Sequence, residues 1–419
     1  MIGTLDQRYR EVTIVGAGIA GMLAAYALDQ HGYRVTLLEQ KQRGGGLIKT
    51  TRTEHGIAES AAHSLITTEA VRELCRDLCV ELIAPRKESR AKFIVRNGHL
   101  VRFPLNLKEA FSLAGHVAFT RSTGANEPVD AWARRHLGDS GTEYLLTPFV
   151  RGIYGVQPQE FGVAAAFPFL NLPKGQTLLS AAAHRLFHRS KKKKGRAAPR
   201  YGMGELVGKL ERRLEERLGT RFRKQERIQN LPDAPNVIVA TPAYAAAQLF
   251  QPHVPQLADA LRSVNYTPIV SVTTFVDKQA FDHPIHGTGV LMPAREDTKS
   301  LGILFNSSSF ESRVTDDSHF ASFTVMMGGT AHPEWLDAPD DEIRQAIKLE
   351  LSTLLGIREP RETIIHRWPQ ALPQYSVDLP NMWQKALDTW CVIPGRVLFG
   401  NYTGQISLRG MIECAAKLN

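Results

Sequence analysis

Apolar residues recur with two different periods near the start of the chain, and the change of period predicts its first structural unit. The apolar run Val12–Val15 predicts a short buried strand, and the positions from Met22 to Leu28 recur with helical spacing. Gly32 then predicts the end of this helix, and Arg34–Glu39 predicts a second strand. A strand, a helix and a strand within about thirty residues are typical of the βαβ unit that binds a dinucleotide.

The same patterns predict the elements that follow. The turn signal Asn97-Gly98 predicts a hairpin between Lys92–Val95 and Leu100–Phe103. Longer apolar runs predict the strands of an antiparallel sheet at Ile269–Val276, Leu301–Phe305 and Ala321–Met327. The remaining predictions are buried strands at Val237–Ala240 and Val397–Phe399, helices at Leu206–Leu218 and Glu342–Leu355, mostly helical structure from Leu105 to about Ser190, and a basic loop that ends at Arg200.

Composition narrows the class of protein. The chain has 419 residues, of which 43% are hydrophobic and 22% charged, so a disordered or fibrous protein is excluded and two or three domains are expected. Four cysteines are too few for a disulfide scaffold, and no C-x-x-C motif occurs, so neither a metal site nor a thioredoxin motif is predicted. A polar start at Met1–Arg10 and the lack of a long apolar run lead us to expect a cytoplasmic protein.

The positive charge is concentrated in one segment. Lys and Arg number 51 against 42 Asp and Glu, a net charge of +9. Without the basic residues between 189 and 200 the chain is nearly balanced, so we expect no nucleic-acid partner. These residues, with no acid between them, are Arg189, Lys191, Lys192, Lys193, Lys194, Arg196 and Arg200.

The glycines after the first strand indicate a nucleotide site. Gly16 allows a sharp turn, Gly18 allows the backbone to approach a pyrophosphate, and Gly21 allows the helix to pack closely on the strand. The phosphates would lie on free N–H groups at the helix N-terminus. Glu39 ends the second strand, where a carboxylate accepts hydrogen bonds from ribose hydroxyls. The alternative is an ordinary turn with chance glycines.

The segment Arg43–Gly46 favours FAD over NAD. In flavin-containing Rossmann proteins a similar basic residue followed by glycines lies along the cofactor phosphates, whereas a flexible surface loop is the alternative. No second G-x-G-x-x-G motif occurs, so a separate NAD(P)H domain is not predicted. We therefore expect FAD, with electrons passing to oxygen or another small acceptor.

Short motifs occur in order along nearly the whole chain, at Val15–Gly21, Arg151–Gly155 with Phe167-Pro168, Tyr201–Gly204, Val239–Pro242, Leu301–Phe310, Thr324–Gly329, Pro373–Tyr375 and Gly400–Tyr402. In this order they resemble the protoporphyrinogen oxidase branch of the flavin amine oxidase superfamily. The N-terminal block is shared by the whole superfamily, and the matches in the central strands are more specific.

The resemblance implies an α/β fold with a discontinuous FAD-binding Rossmann-like domain. Residues 1–85, 201–260 and 391–419 would form this domain. Residues 86–200 would form a helical lobe that faces a membrane and the substrate, and residues 261–390 an antiparallel-sheet substrate domain. The implied reaction oxidises a porphyrinogen, protoporphyrinogen IX or coproporphyrinogen III, to the porphyrin by successive hydride transfers to the flavin, with oxygen as acceptor, in heme biosynthesis.

The resemblance also implies which residues bind the ligands. Because the flavin carries the chemistry, no catalytic side chain is expected. The expected cofactor residues are Gly16, Gly18, Ile19, Ala20, Gly21, Glu39, Gln40, Arg43, Gly45, Gly46, Leu47, Ile228, Ala240, Thr241, Gly400, Ile406, Ser407 and Leu408. The expected substrate residues are Lys92, Arg151, Gly152, Leu291, Leu304 and Met326, of which the apolar ones would sandwich the rings.

Some residues depart from the family pattern, and they leave other substrates open. Lys92 replaces an arginine that pairs with a propionate, which keeps the charge but loses the bidentate geometry. Ala61 replaces a glycine, and Leu379 stands where the family has a histidine. Between Arg221 and Val237 the chain is too short for a full hairpin. The alternatives are an FAD oxidoreductase acting on an amine, a polyene or another ring, and a non-catalytic escort protein.

The basic segment suggests a membrane partner. Near an anionic leaflet each basic residue contributes roughly 1 kcal/mol, so Lys191, Lys192, Lys193 and Lys194 could hold the protein on the inner membrane face. A solvated loop is the alternative. The oligomeric state is not predicted.

Overall fold

The computed structural model describes residues 1–187, 195–296 and 298–418. In chain order its strands are β1 (Glu11–Val15), β2 (Arg34–Leu38), β3 (Thr50–Arg52), β4 (Ile57–Glu59), β5 (Leu65–Thr67), β6 (Leu82–Ile83), β7 (Lys92–Arg96), β8 (His99–Val101), β9 (Gly195–Pro199), β10 (Phe222–Arg223), β11 (Asn236–Val239), β12 (Tyr266–Asp277), β13 (Gly289–Leu291), β14 (Ser300–Phe305), β15 (Phe320–Gly328), β16 (Glu362–Pro373) and β17 (Arg396–Leu398).

The helices complete the description. They are α1 (Ile19–Gln30), α2 (Glu69–Asp77), α3 (Leu107–Phe119), α4 (Val129–Gly141), α5 (Thr147–Tyr154), α6 (Val163–Ala166), α7 (Leu178–Phe187), α8 (Met203–Leu218), α9 (Ala243–Phe250), α10 (Pro255–Arg262), α11 (Asn306–Ser309), α12 (Asp340–Leu355), α13 (Leu379–Thr389) and α14 (Leu408–Ala415). The predicted βαβ unit and the helices in α8 and α12 are confirmed, with ends that differ by up to three residues.

A parallel sheet with strand order β10-β2-β1-β11-β17 holds the N-terminal unit. Its strands come from three separate parts of the chain, because β10 and β11 return to it after the central sheet's first hairpin and β17 joins at the end. One apolar core contains Ile14 and the side chains of α1, α8 and α14, and a second contains Val15 and those of α9 and α13. This burial on both faces is typical of a parallel sheet.

A larger sheet has the order β16-β12-β15-β14-β13-β7-β8. Its pairs are antiparallel except for β13 with β7, which confirms the predicted antiparallel sheet. Val272 and Val325 face Ile343 and Leu351 of α12 across one apolar core. Because successive residues of a strand point to opposite faces, the other face carries a different set of side chains.

The hairpin predicted around Asn97-Gly98 is confirmed as β7 and β8. Its place in the molecule was not predicted, because β7 adds to the edge of the large sheet by pairing with β13, almost two hundred residues later in the chain. The large sheet is therefore assembled from segments that are distant in the sequence.

The predicted basic loop is wrong where it reaches residues 195–199. These residues form β9, which pairs with β5 and β6. Ala197 and Ala198 are buried there, so backbone pairing and burial outweigh a composition that is poor in β-formers. Lys191, Lys192, Lys193 and Lys194 lie outside the described residues.

The helices α3 to α7 occupy most of the chain between residues 107 and 187, as the periodicity predicted. Helix α3 contains no buried residue. Over the described parts of the chain, none of the helices combines the length and apolar character needed to cross a membrane.

Candidate functional site

The glycine turn is built by backbone contacts that exclude larger residues. Gly16 follows β1 with φ near +99°, and its N–H donates to the Leu38 carbonyl at 2.8 Å. A Cβ on Gly21 would stand 1.9 Å from the Gly16 oxygen. Helix α1 can therefore start close to β1 only with glycine at these positions.

The same turn leaves room for a ligand. A Cβ placed on Gly18 would meet nothing within 4 Å, and Gly18 precedes the first residue of α1, Ile19, with extended φ and ψ. The hydroxyl of Thr241, beside Gly16, is buried without a hydrogen-bond partner. Free N–H groups at a helix N-terminus and an orphaned hydroxyl suit the phosphates of a dinucleotide. We call Gly16, Gly18, Gly21, Glu39 and Thr241 the nucleotide cradle.

Glu39 closes the cradle at the end of β2. Its carboxylate accepts from the N–H of Ala17 at 2.8 Å and from the N–H of Lys41 at 2.9 Å. The carboxylate therefore lies beside the glycine turn, where a ribose would lie. The N–H of Glu226 donates to the Glu39 carbonyl at 2.9 Å, which brings Ile228, two residues further on, near this end of the sheet.

The loop after β2 is braced against the cradle. The N–H of Gly45 donates to the Ala17 carbonyl at 2.7 Å. The Arg43 guanidinium donates to the carbonyls of Gly46 at 2.8 Å and Ile48 at 3.1 Å, so Arg43 holds the loop's own backbone in this structure. A Cβ on Gly45 would stand 2.1 Å from a methyl carbon of Val207. Gln40 is exposed and Leu47 half-buried at the two ends of this loop.

The remaining expected cofactor residues lie at the carboxyl ends of neighbouring strands. Ala240 and Thr241 follow β11, and Gly400 follows β17, next to it in the sheet. Ser407 caps α14 by accepting from the N–H of Gly410 at 3.1 Å. Helix α14 packs on α1, and ligands of α/β sheets bind at this edge. The expected residues in this region are Ile19, Ala20, Ala240, Thr241, Gly400, Ile406, Ser407 and Leu408.

The expected substrate residues of the strands lie on one face of the large sheet. Lys92 is level with Gly289, which is level with Leu304. The next row contains Leu291 and Met326, separated by Gly302. Adjacent strands are about 4.8 Å apart, so Lys92 and Leu304 are separated by about 10 Å. We call the face that carries Lys92, Leu291, Leu304 and Met326 the mixed face.

Helix α5 carries the other two expected substrate residues and packs on β13 and β14. A Cβ on Gly152 would stand 2.4 Å from a methyl carbon of Leu291, so the helix backbone touches the mixed face there. Arg151 is 5% exposed, its Nε has no hydrogen-bond partner, and burial lowers its pKa. The structure thus brings Gly152 and Leu291 into contact.

Hydroxyl groups interrupt the apolar residues of the mixed face, and sequence reasoning missed them. Thr324 lies in the row of Lys92 and Leu304, and its hydroxyl shares a 2.9 Å hydrogen bond with that of Thr273. Asn306 donates to Thr324 at 2.8 Å. The signal was present as hydroxyl residues two apart, Ser271 and Thr273, within an apolar strand.

The ribbon of β3 and β4 joins the nucleotide cradle to the mixed face. The Ser60 hydroxyl donates to the carbonyl of Leu47 at 2.7 Å, and the indole N–H of Trp368 in β16 donates to the Ser60 carbonyl at 2.6 Å. Thr51 in β3 lies 3.5 Å from Nε2 of His366. A ligand bound along the cradle would therefore continue toward this face.

Two buried charges lie beside the ribbon. Glu59 and Arg313 side chains are each 4% exposed, with 3.6 Å between Oε1 and Nη1. Glu59 accepts from the N–H of Met203 at 2.8 Å and from the Thr50 hydroxyl at 2.7 Å, while burial raises its pKa. His63 has an unpartnered Nε2, and burial, reinforced by Arg313, lowers its pKa to about 4. Neither Arg313 nor His63 was predicted as a site residue.

This arrangement suits a bound redox cofactor and an extended, partly apolar substrate. The described residues hold no group of three or more histidine, cysteine, aspartate or glutamate side chains that could bind a metal ion. The open Gly18, the orphaned Thr241 hydroxyl and the carboxylate of Glu39 fit a dinucleotide such as FAD. The chemistry that FAD supplies when bound is acceptance of electrons from a substrate.

Comparison with known proteins identifies the family. The model of the flavin containing amine oxidoreductase family matches residues 19–415. Protoporphyrinogen oxidase 2 of Arabidopsis thaliana is 27% identical over 473 residues, which cover 97% of this chain and 92% of that protein. The resemblance inferred from the sequence motifs is confirmed.

Solved structures share the fold over its full length. A protein of Exiguobacterium sp. 255-15 that carries a provisional protoporphyrinogen oxidase name superposes with a TM-score of 0.78 at 20% identity, covering 98% of both chains. Cyclohexylamine oxidase of Brevibacterium oxydans superposes with a TM-score of 0.72 at 16% identity, covering 97% of both. The chain belongs to the flavin containing amine oxidoreductase family and is an FAD-dependent oxidoreductase.

Proposed function

We propose that this oxidoreductase converts a porphyrinogen to the porphyrin. Each two-electron step would break one C–H bond, whose hydride leaves to the electron acceptor, while a proton leaves from a pyrrole nitrogen or a second bridge carbon. Oxygen would take up the two electrons and two protons to form hydrogen peroxide. Protoporphyrinogen IX and coproporphyrinogen III are the expected substrates, as a step of heme biosynthesis. The name of the Arabidopsis relative points in the same direction.

The mixed face is the observation that supports this proposal. Leu291, Leu304 and Met326 offer apolar contacts over an area about two strands wide, which suits a broad, flat ring. Lys92 is exposed at one edge and carries the charge that an acidic side arm of such a ring requires. Helix α5 limits the space on this face through the contact of Gly152 with Leu291.

The protein's own residues would bind and orient the substrate. The apolar residues would exclude water from the reacting carbon, and the hydroxyls of Thr273 and Thr324 would satisfy one another while the ring is bound. Lys92 would fix the orientation of the ring through one acidic arm. When bound, FAD supplies the hydride acceptor.

Anaerobic mixing of the purified yellow protein with each porphyrinogen tests the proposal. Bleaching of the flavin absorbance, followed by its return on addition of air together with porphyrin fluorescence, is expected. No bleaching with either porphyrinogen would reject the proposal. Bleaching by cyclohexylamine instead would favour the amine substrate of the alternative hypothesis. A colourless protein that releases no flavin on denaturation would favour the escort hypothesis.

We also propose that the helical region docks on an anionic lipid surface. Leu107, Phe111 and Phe119 of α3 are 81%, 77% and 82% exposed, which is unusual for large apolar side chains on a soluble surface. Leu179 of the neighbouring α7 is also exposed, and the basic segment with Lys191, Lys192, Lys193 and Lys194 follows this helix in the sequence. Exposed apolar groups beside basic residues are typical of proteins that lie on a membrane surface.

Sedimentation with vesicles tests the membrane proposal. The protein is expected to sediment with phosphatidylserine-containing vesicles and to remain in solution with pure phosphatidylcholine. The double change Phe111→Ser and Phe119→Ser, or alanine at residues 191–194, should release it. Leu349→Ser is the matched control, because Leu349 is 69% exposed on α12. Binding that survives both sets of changes would reject the proposal.

A further inference from the structure

A small cavity of about 50 Å³ lies where β4, β9 and the end of β14 meet. The residues that matter for its chemistry are Glu59, His63, Arg196, Leu304, Phe310 and Arg313. We call it the arginine pocket. Its volume suits a few water molecules or one carboxylate group.

The guanidinium group of Arg313 lines the arginine pocket, and its hydrogen-bond donors are only partly satisfied. Its Nη2 donates to the Pro199 carbonyl at 2.7 Å, and its Nη1 lies 3.6 Å from Glu59 Oε1. Its Nε and Nη1 make no hydrogen bond, although the side chain is 4% exposed. Burying a guanidinium in this way is costly unless an acceptor satisfies it.

Arg196 brings a second positive charge to the pocket. Its Nη2 donates to the hydroxyls of Thr288 at 3.3 Å and Ser309 at 3.5 Å, and it forms no ion pair with any described carboxylate. The guanidinium carbons of Arg196 and Arg313 lie 5.1 Å and 5.6 Å from the centre of the Phe310 ring. One aromatic ring thus holds both cations in place.

The charges in the pocket do not balance. Two guanidinium groups face one carboxylate, Glu59, whose oxygens already accept from Met203 and Thr50. His63 adds no charge at neutral pH, because burial lowers its pKa to about 4. One positive charge is left over, and unpartnered nitrogen atoms of Arg313 and His63 are available to an oxygen ligand.

Leu304 connects this pocket to the mixed face. It lines the pocket and lies in the same row as Lys92, about 10 Å away across two strands. From this geometry we infer that the arginine pocket binds a carboxylate of the substrate, in addition to the acidic arm expected at Lys92. The inference rests on the proposed function, and it assigns a second acidic arm of the ring to this pocket.

Binding of the oxidised product to the FAD-loaded protein tests this inference. The probes are protoporphyrin IX and its dimethyl ester, in which methylation removes the charge of both acidic arms, and the readout is quenching of porphyrin fluorescence. The free acid should bind at least tenfold more tightly than the ester, since charge-assisted hydrogen bonds are lost in the ester. Arg196→Gln should weaken binding of the acid about tenfold and leave the ester unchanged.

Matched variants separate this role from a structural one. Arg313→Gln can disturb folding by leaving Glu59 unpaired, so Arg196 is the first choice, and Arg196→Lys should restore part of the affinity. Arg344→Gln is the control, because Arg344 is an exposed arginine on α12, on the opposite side of the sheet. Equal affinity for acid and ester, or an unchanged acid affinity in Arg196→Gln, would overturn the inference and leave the porphyrinogen function standing.

A second probe distinguishes failure of the pocket from failure of the function. Propionate alone, at millimolar concentration, should raise the Tm of the wild type but not of Arg196→Gln, with chloride as the control anion. A propionate shift without binding of either porphyrin would support the carboxylate pocket and overturn the proposed substrate. If propionate does not raise the Tm and neither porphyrin binds, both the carboxylate pocket and the porphyrinogen function are overturned.

Discussion

The nucleotide cradle and the mixed face are built in opposite ways. The glycine turn of the cradle is made of backbone from one short stretch of sequence, in which Gly16 and Gly21 set the path of the chain and Gly18 leaves space for a ligand, and only Glu39 and Thr241 join it from elsewhere. The mixed face is made of side chains from β7, β13, β14 and β15, whose residues span more than two hundred positions. A backbone site tolerates few substitutions, whereas a side-chain site can change its ligand and keep its fold. We therefore expect changes in the cradle to have the larger effects.

The largest expected effect is the loss of the cradle. Gly21→Ala would place a Cβ 1.9 Å from the Gly16 oxygen, and because both atoms belong to packed backbone, the turn must open. We expect a cost of about 3 kcal/mol or more and loss of bound FAD. Thermal unfolding and flavin content of the purified protein measure the two effects.

Gly18→Ala distinguishes cofactor space from folding. Its Cβ would meet no protein atom, and its φ of −62° suits any residue, so the stability of the apoprotein should be unchanged while FAD content falls. Gly208→Ala, at an open position within α8, is the control and should keep both. Full FAD content in Gly18→Ala would show that the cofactor does not approach this turn.

The next largest expected effect is a loss of stability in acid, and it concerns His63, which lies between the nucleotide cradle and the mixed face. Burial lowers its pKa to about 4 from a value of 6.5 in an unfolded chain. The unfolded state therefore takes up the proton first as pH falls. As a result, the free energy of unfolding has its full value above pH 6.5. It falls by up to about 3 kcal/mol as the pH drops from 6.5 to 4.

Unfolding by urea at several pH values measures this loss. His63→Gln should be less sensitive to acid than the wild type across that window, while His253→Gln, at an exposed position, should behave as the wild type. Equal acid sensitivity of His63→Gln and the wild type would show that His63 is not held neutral by the fold.

The third effect tests the contact between α5 and the mixed face. Gly152→Ala would push a Cβ to 2.4 Å from the Leu291 methyl carbon, which is the end of a side chain that can move. We expect FAD content to be kept and KM for the porphyrinogen to rise several-fold, about 1 kcal/mol in binding. Leu291→Ala in the same chain should reverse part of this change, since it frees the space. Strictly additive effects on KM would show that the two residues do not share the substrate's space.

The smallest expected effect is at Lys92. An exposed charge pair contributes about 0.2–1 kcal/mol, so Lys92→Ala should raise KM by up to about fivefold without changing FAD content. Lys92→Arg should lower KM, because a guanidinium can bind a carboxylate with two hydrogen bonds. Lys385→Ala, an exposed lysine of α13, is the matched control. Equal KM values for the three Lys92 forms would remove this residue from the substrate site.

The sequence predicted local elements well and their assembly poorly. The βαβ unit, the hairpin at Asn97-Gly98 and the strands β12, β14 and β15 of the large sheet were predicted from periodicity and turn signals, because these signals are carried by neighbouring residues, whereas β13 and β16 were not predicted. The place of β7 beside β13 could not be found in this way, since no local signal records which strand a sheet edge will accept. Residues 195–199 were assigned to a loop for the same reason, and their partners β5 and β6 lie more than one hundred residues away.

The residues of the candidate site show the same contrast between what local sequence predicts and what long-range packing decides. The glycines of the cradle could be assigned to a cofactor from the sequence, because Gly16 and Gly21 are required by backbone geometry within one turn of chain and Gly18 leaves space for a ligand. Arg196, Arg313 and His63 gave no such signal, since an arginine in a sequence does not reveal whether an acidic partner will reach it. Only the packing of β4, β9 and the residues after β14 leaves Arg313 buried with free nitrogen atoms.

The sequence by itself determined a dinucleotide turn, the two kinds of sheet and membership of a flavoprotein family. The tertiary structure alone decided that Lys92, Leu291, Leu304 and Met326 share one face, and that two arginines meet one glutamate beside it. The physical reason is the range of the forces involved. Backbone conformation depends on adjacent residues, whereas burial and charge balance depend on every segment that packs around a group.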